Sequence, residues 1–239
     1  MSTQSRHPAT LGRRAFLAGA GALALAGCQS TRPNAPVIEP LAPSALPVTP
    51  PIYYALPDER FPIPAVDVTK VDRKWWRAEV DYPTDEKVGT VIVDTPNRYL
   101  YHVLRDGRAM RYGVGVGRAG FEWAGRGHIA YKRKWPRWNP PDEMVARQPK
   151  LKSVSIANGG MAPGLNNPLG SRALYIHEGN RDTIYRIHGS PEYSTIGRAV
   201  SSGCIRMINQ DVIHLADSVR DGSTIVVIPD PAVGRPMAA

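Results

Sequence analysis

The residues with most chemical potential lie in two short segments, Tyr185-Arg186-Ile187-His188-Gly189-Ser190 and Ser201-Ser202-Gly203-Cys204-Ile205-Arg206-Met207. A cysteine is a nucleophile only as its thiolate. With an ordinary pKa of about 8.5 it needs a base or a cation beside it at neutral pH. His188 lies upstream, on what reads as the end of a strand. The loop between them contains Pro191 and Gly197 and can fold back to bring the two side chains together. Gly203 lets the backbone approach a reacting centre and leaves amides to line an oxyanion hole. Arg206 is a fixed cation suited to a carboxylate. The chemistry such a set could perform is acyl transfer through cysteine. Spacing alone favours a plainer alternative, a buried cysteine and an unrelated histidine.

The elements that must position these residues read as β. Val88–Asp94 (VGTVIVD) is a buried-type strand, Thr95-Pro96-Asn97 a turn, and Arg98–Arg105 alternates. Asp106-Gly107 is a hairpin signal, and Arg108–Val116 returns. Ala173–His177 and Thr183–His188 flank a second hairpin candidate at Glu178–Asp182. Val212, Leu215, Ala216 and Val219 stand at helical spacing within residues 210–220. Asp221-Gly222 ends that helix, and Ser223–Ile228 is a final strand. With 23 Pro and 22 Gly in 239 residues, a turn-rich, mostly β domain is favoured over a helical bundle.

The N-terminus reads as an address. Arg13-Arg14-Ala15-Phe16-Leu17, then small and apolar residues to Gly27, form a charged region and an apolar core too short for a comfortable membrane span. The arginine pair resembles a twin-arginine export signal. Leu25-Ala26-Gly27-Cys28 resembles a lipobox. That likeness implies cleavage before Cys28, lipidation of its thiol and anchoring of the mature chain to a membrane. The alternative is an ordinary signal peptide with an incidental cysteine. The chain has two cysteines and a net charge of +9. Removing residues 1–27 removes Arg6, Arg13 and Arg14 and no acids, so the mature charge is +9 − 3 = +6. Lipidation of Cys28 leaves Cys204 as the single remaining thiol, in an oxidising compartment. Residues 28–64 read as a Pro-rich tether, 65–86 as an N-terminal extension, 87–229 as the catalytic domain and 230–239 as a tail. Packing of residues 52–80 onto the domain is the alternative, with Trp75 and Trp76 as its anchors.

His188-Gly189, Ile196-Gly197 and Ser201-x-Gly203-Cys204-Ile205-Arg206-Met207, followed by Asn209 and Asp211, resemble the signature of the L,D-transpeptidases, the YkuD-like family. Asn167-Pro168-Leu169-Gly170 with Ala173-Leu174-Tyr175, and Lys134–Pro141 (KWPRWNPP), extend the resemblance upstream. It implies a mostly β, sandwich-type catalytic domain with short helices, Cys204 as nucleophile and His188 as base. It places an orienting backbone carbonyl at Gly189, oxyanion and site geometry at Ser202 and Gly203, and substrate binding at Ser201 and Arg206. The implied substrates are peptidoglycan stem peptides, with an amine, water or an envelope protein as acyl acceptor. Many members carry a second histidine where this chain has Ser202.

No cofactor is implied. HExxH and CxxC are both missing from the sequence, and His102, His128, His177 and His214 are too scattered for a zinc site. Gly113, Gly115 and Gly117 do not follow the strand–loop–helix order of a dinucleotide site. Lys132, Arg133, Lys134 and Arg137 with Trp135 and Trp138 are either part of a substrate groove or a solvated loop with packing tryptophans. The positive charge suits carboxylate-bearing substrates, and export disfavours nucleic acid as a partner.

Overall fold

A computed structural model describes residues 48–117, 123–201 and 203–231. The expected signal peptide, Cys28, the first part of the tether, Ser202 and most of the tail lie outside the described residues. The strands are β1 (Ala78–Asp81), β2 (Val91–Asp94), β3 (Tyr99–Val103), β4 (Arg108–Gly113), β5 (Val116–Gly117), β6 (Gly125–Lys134), β7 (Arg172–Glu178), β8 (Arg181–Ser190), β9 (Ala199–Ser201), β10 (Ile205–Ile208) and β11 (Thr224–Ile228). The α-helices are α1 (Asp142–Arg147) and α2 (Asn209–Ser218). The fold is mostly β with few helices, as expected.

Nine strands form one sheet in the order β1-β4-β3-β2-β11-β6-β7-β8-β10, and β5 pairs with β9 apart from it. Within the nine-stranded sheet neighbours are antiparallel except β2 with β11 and β8 with β10, and the β5–β9 pair is parallel. The sheet curls until the segment after β4 meets β10. Gly115 N–H donates to the Arg206 carbonyl at 2.9 Å, and Arg206 N–H returns to the Gly115 carbonyl at 2.8 Å. Val91, Val93, Leu100, Tyr112, Leu174 and Ile187 meet Val212 and Leu215 of α2 in the core. The β3–β4 turn is legible from its residues: Asp106 and Gly107 have φ of 58° and 68°, the paired positive values of a type I′ turn. The C-terminal carbonyls of α2 lack intrahelical partners. Lys132 Nζ donates to that of Ala216 at 2.8 Å and also to that of Val219 just beyond.

Part of the segment expected as a tether packs: residues 51–64 fold onto the domain, because that Pro-rich stretch carries large apolar side chains that find partners. Tyr53, Val66, Val68 and Val71 form a second buried cluster with Ile196 and Ile208, joined by Trp75, Trp76 and Tyr193. Glu59 accepts from Trp135 Nε1 at 2.8 Å and from both terminal nitrogens of the buried Arg172. Tyr53 OH donates to the buried Asp211 at 3.1 Å, and Arg77 Nε lies 3.7 Å from the same carboxylate. Burial pushes the Asp211 carboxyl up to about 7.

Candidate active site

His188 lies on β8, and Cys204 immediately precedes the neighbouring strand β10. β8 and β10 run parallel, with Ile205 opposite Ile187 and Arg206 opposite His188. Cys204 is the residue just before β10, so this register carries it to Arg186. Residues two apart in a strand share a face, which puts Arg186 and His188 on one side of β8. Cys204 is thereby one diagonal step from His188, on the order of 7–8 Å between backbones. The parallel pairing forces a crossover, and residues 191–204 form it, carrying β9. Gly203 closes the crossover with φ 134°, and a β-carbon there would meet the Tyr185 ring at 3.0 Å.

His188 is buried, and its Nδ1 lies 2.6 Å from the Gly189 carbonyl. A carbonyl only accepts, so Nδ1 carries the proton and Nε2 of the neutral ring keeps a lone pair. Burial holds the imidazole down to about 4; the Gly189 and Pro168 carbonyls oppose that shift and the Arg206 charge adds to it. Cys204 holds no disulfide. Burial raises its thiol above the ordinary range, while the backbone amide and the charge of Arg186 pull it back. Both shifts favour the neutral forms, a thiol and an imidazole, at neutral pH.

Asn209, at the start of α2, supports this arrangement. Its Oδ1 accepts the Ser171 N–H at 2.9 Å and its Nδ2 donates to the Ser190 carbonyl at 3.4 Å. It thus ties the turn after Pro168 to the end of β8. A β-carbon on Gly189 would lie 2.2 Å from Asn209 Oδ1, and one on Gly170 would lie 2.4 Å from it.

Cys204 and Gly203 open onto a groove of about 670 Å³ between β8 and the segment 137–147. Arg137, Trp138, Arg147, Tyr175 and Arg186 are among its walls. The basic loop cluster therefore divides: Arg137 and Trp138 face the groove, whereas Trp135 is buried against Phe61 and Lys132 caps α2. Arg206, expected to bind substrate, does not line this groove. It sits one register step deeper beside His188, under Gly115, with Nη1 3.6 Å from Glu192. Its Nε and Nη2 are buried without a hydrogen-bond partner among the described residues. Ser201 ends β9 with its backbone opposite Gly117. His177 packs its ring against His128 and Tyr131. Among the described residues, no group of His, Cys, Asp and Glu is arranged to hold a metal ion. Arg186 and Asn209 had been given no role. Arg186 was readable in principle, since it stands two residues before His188 on an alternating strand. Asn209 stands in the motif, but its long-range contacts to Ser171 and Ser190 are not written in the local sequence.

The family model for the L,D-transpeptidase catalytic domain, YkuD, matches residues 89–228, which run from just before β2 to the end of β11. The chain belongs to the L,D-transpeptidase family. It is similar to "Probable L,D-transpeptidase ErfK/SrfK" of Escherichia coli K12, with 30% identity over 146 residues, 59% of this chain and 44% of that protein. It is 28% identical to "Probable L,D-transpeptidase YbiS" of the same organism, over 60% of this chain and 45% of that protein. The chain thus spans about half the length of the curated relatives it matches. A solved structure described as a "Probable carnitine operon oxidoreductase" of Brucella melitensis is 42% identical, with TM-score 0.46, covering 68% of this chain and 99% of that one. The L,D-transpeptidase domain begins after β1, so the packed segment 51–76 is an addition outside the family match.

Proposed function

We propose that the protein is a peptidoglycan L,D-transpeptidase in which Cys204 is the nucleophile and His188 the general base. The observation that carries this reading is the β8–β10 pairing. It sets Cys204 at the groove one diagonal step from a histidine whose Nδ1 proton is tied to the Gly189 carbonyl. As sulfur attacks the carbonyl of the third, L-centred stem residue, the thiol proton passes to His188 Nε2. The new C–S bond forms, backbone amides near Gly203 and Cys204 hold the oxyanion, and terminal D-Ala leaves with a proton from His188. Each such donor is worth about 3 kcal/mol. The thioester is then taken by an amine, commonly the side chain of a neighbouring stem, in ping-pong fashion. Arg137 and Arg147 on the groove walls suit the carboxylates of stem peptides. A groove open to an incoming amine is also open to water or to a protein amine.

The export features complete the reading. The chain acts in the bacterial periplasm, held to a membrane through lipid on Cys28, with +9 − 3 = +6 on the mature form. Among the described residues no helix is long and apolar enough to cross a membrane. The test is incubation of the purified domain with disaccharide tetrapeptide and product analysis by mass spectrometry. Crosslinked dimers that vanish in Cys204→Ala are expected. Tripeptide alone would make the enzyme an L,D-carboxypeptidase. Unchanged substrate from a folded protein would leave a non-catalytic wall-binding lipoprotein.

A further inference from the structure

The sequence from Ala199 to Ile205 has no histidine or lysine beside Cys204, so the charge that favours its ionised form must come from another element. Arg186 on β8 is in the right place. The register that pairs Ile205 with Ile187 carries Cys204 to Arg186, and both side chains line the same groove. The guanidinium is held in three ways. It lies 4.3 Å over the Tyr175 ring, both terminal nitrogens reach Asp182 at 2.7 Å, and Nη1 also donates to the Tyr185 carbonyl at 2.9 Å. Its side chain is 15% exposed against 41% for Asp182, so the cation faces the protein and its counter-ion faces solvent.

We infer that Arg186 is the electrostatic partner of Cys204, fixed on Tyr175 by Asp182 so that its charge stabilises the developing thiolate. This deepens, and rests on, the reading of Cys204 as the nucleophile. Arg186 pulls the thiol down through its charge and its backbone amide, whereas Asp182 is not among the groups that shift it. The other charges around the site differ in reach. Arg137, Glu143 and Arg147 stand on the opposite groove wall, Tyr175 and Tyr185 flank the guanidinium, and His188 and Arg206 lie on the buried side. None of these is carried by the register to Cys204 as Arg186 is.

The test is the rate of Cys204 alkylation by iodoacetamide from pH 6 to 11, read by intact mass, in the wild type, Arg186→Gln and Arg186→Lys. An opposite charge close to an acid shifts it by one unit or more. Loss of the charge should therefore raise the apparent pKa by about one unit and slow alkylation about tenfold at neutral pH. Arg186→Lys should recover part of that rate, and circular dichroism should show all three folded. An unchanged profile in folded Arg186→Gln would overturn the inference, as would a rise in KM for the tetrapeptide with the alkylation profile untouched, which marks a substrate-carboxylate contact instead. Failure of the wild type itself to show pH-dependent alkylation would sink the nucleophile reading, a separate outcome.

Discussion

Replacing Asn209 by Ala removes a side chain that touches neither Cys204 nor substrate, yet it should cost both stability and rate. Ser171 is fully buried and Ser190 nearly so. Deleting the amide leaves the Ser171 N–H, now bonded at 2.9 Å, without a partner, which costs about 1–3 kcal/mol. The longer bond to Ser190 adds a few tenths. Gly170 and Gly189 border the space left behind and have no side chains to fill it. We expect a loss of about 2–3 kcal/mol, which for a domain of this size lowers Tm by about 5–10 °C. The Gly189 carbonyl that fixes the His188 tautomer loses its support from α2, so kcat for acyl transfer from a tetrapeptide should fall about tenfold with KM little changed. Asn209→Asp keeps the acceptor for Ser171 and loses the donor to Ser190, at a helix start where an anion is tolerated; it should fall between the two. Differential scanning fluorimetry and steady-state kinetics on the three proteins decide the matter. A Tm within about 2 °C of wild type and unchanged kcat in Asn209→Ala would refute the account of Asn209 as a strut.

Further predictions concern pH. His188 is held down to about 4, from the ordinary 6.5, so its contribution to stability is present above 6.5 and is lost as pH falls through 4. The free-enzyme kcat/KM profile should accordingly lack an inflection near 6.5 and climb toward alkaline pH with Cys204; a limb near 6.5 would contradict the buried, neutral base. Asp211 is raised from 3.8 to about 7, so its contribution is present below 3.8 and is lost as pH rises through 7. Asp211→Asn should therefore gain stability relative to wild type between pH 4 and 7, whatever the constant cost of losing the Arg77 partner. Parallel Tm curves across that window would refute the assignment.

What could be read from the residues follows from how local each determinant is. The Asp106-Gly107 hairpin and the apolar stripe of α2 are written within a few residues, and both stand where expected. β6 had no such signature: Gly125–Lys134 is rich in Arg and Lys and lacks clean alternation, and it is a strand because β11 and β7 pair with it on either side. The segment 51–64 read as free tether because its prolines exclude regular structure. It packs all the same, through Tyr53 and Ile63 and the Glu59 contacts. At the site, Cys204 and His188 were visible as a motif. Arg206 reads as a cation suited to a carboxylate, and its local sequence does not show that Gly115 lies over it. Arg186 stands on the His188 face of its strand by alternation, but only the Tyr175 ring and the Cys204 register distinguish it from a solvated arginine.

The central claim is that Cys204 carries the acyl group. Its most direct test is intact-mass analysis of the protein quenched in acid shortly after mixing with a disaccharide tetrapeptide. A thioester adduct of the tripeptide mass, located at Cys204, absent from Cys204→Ser and strongly reduced in folded His188→Ala, is the result predicted here. Substrate turnover by Cys204→Ser, or a folded wild-type protein that never gains the adduct and releases no D-Ala, would contradict it.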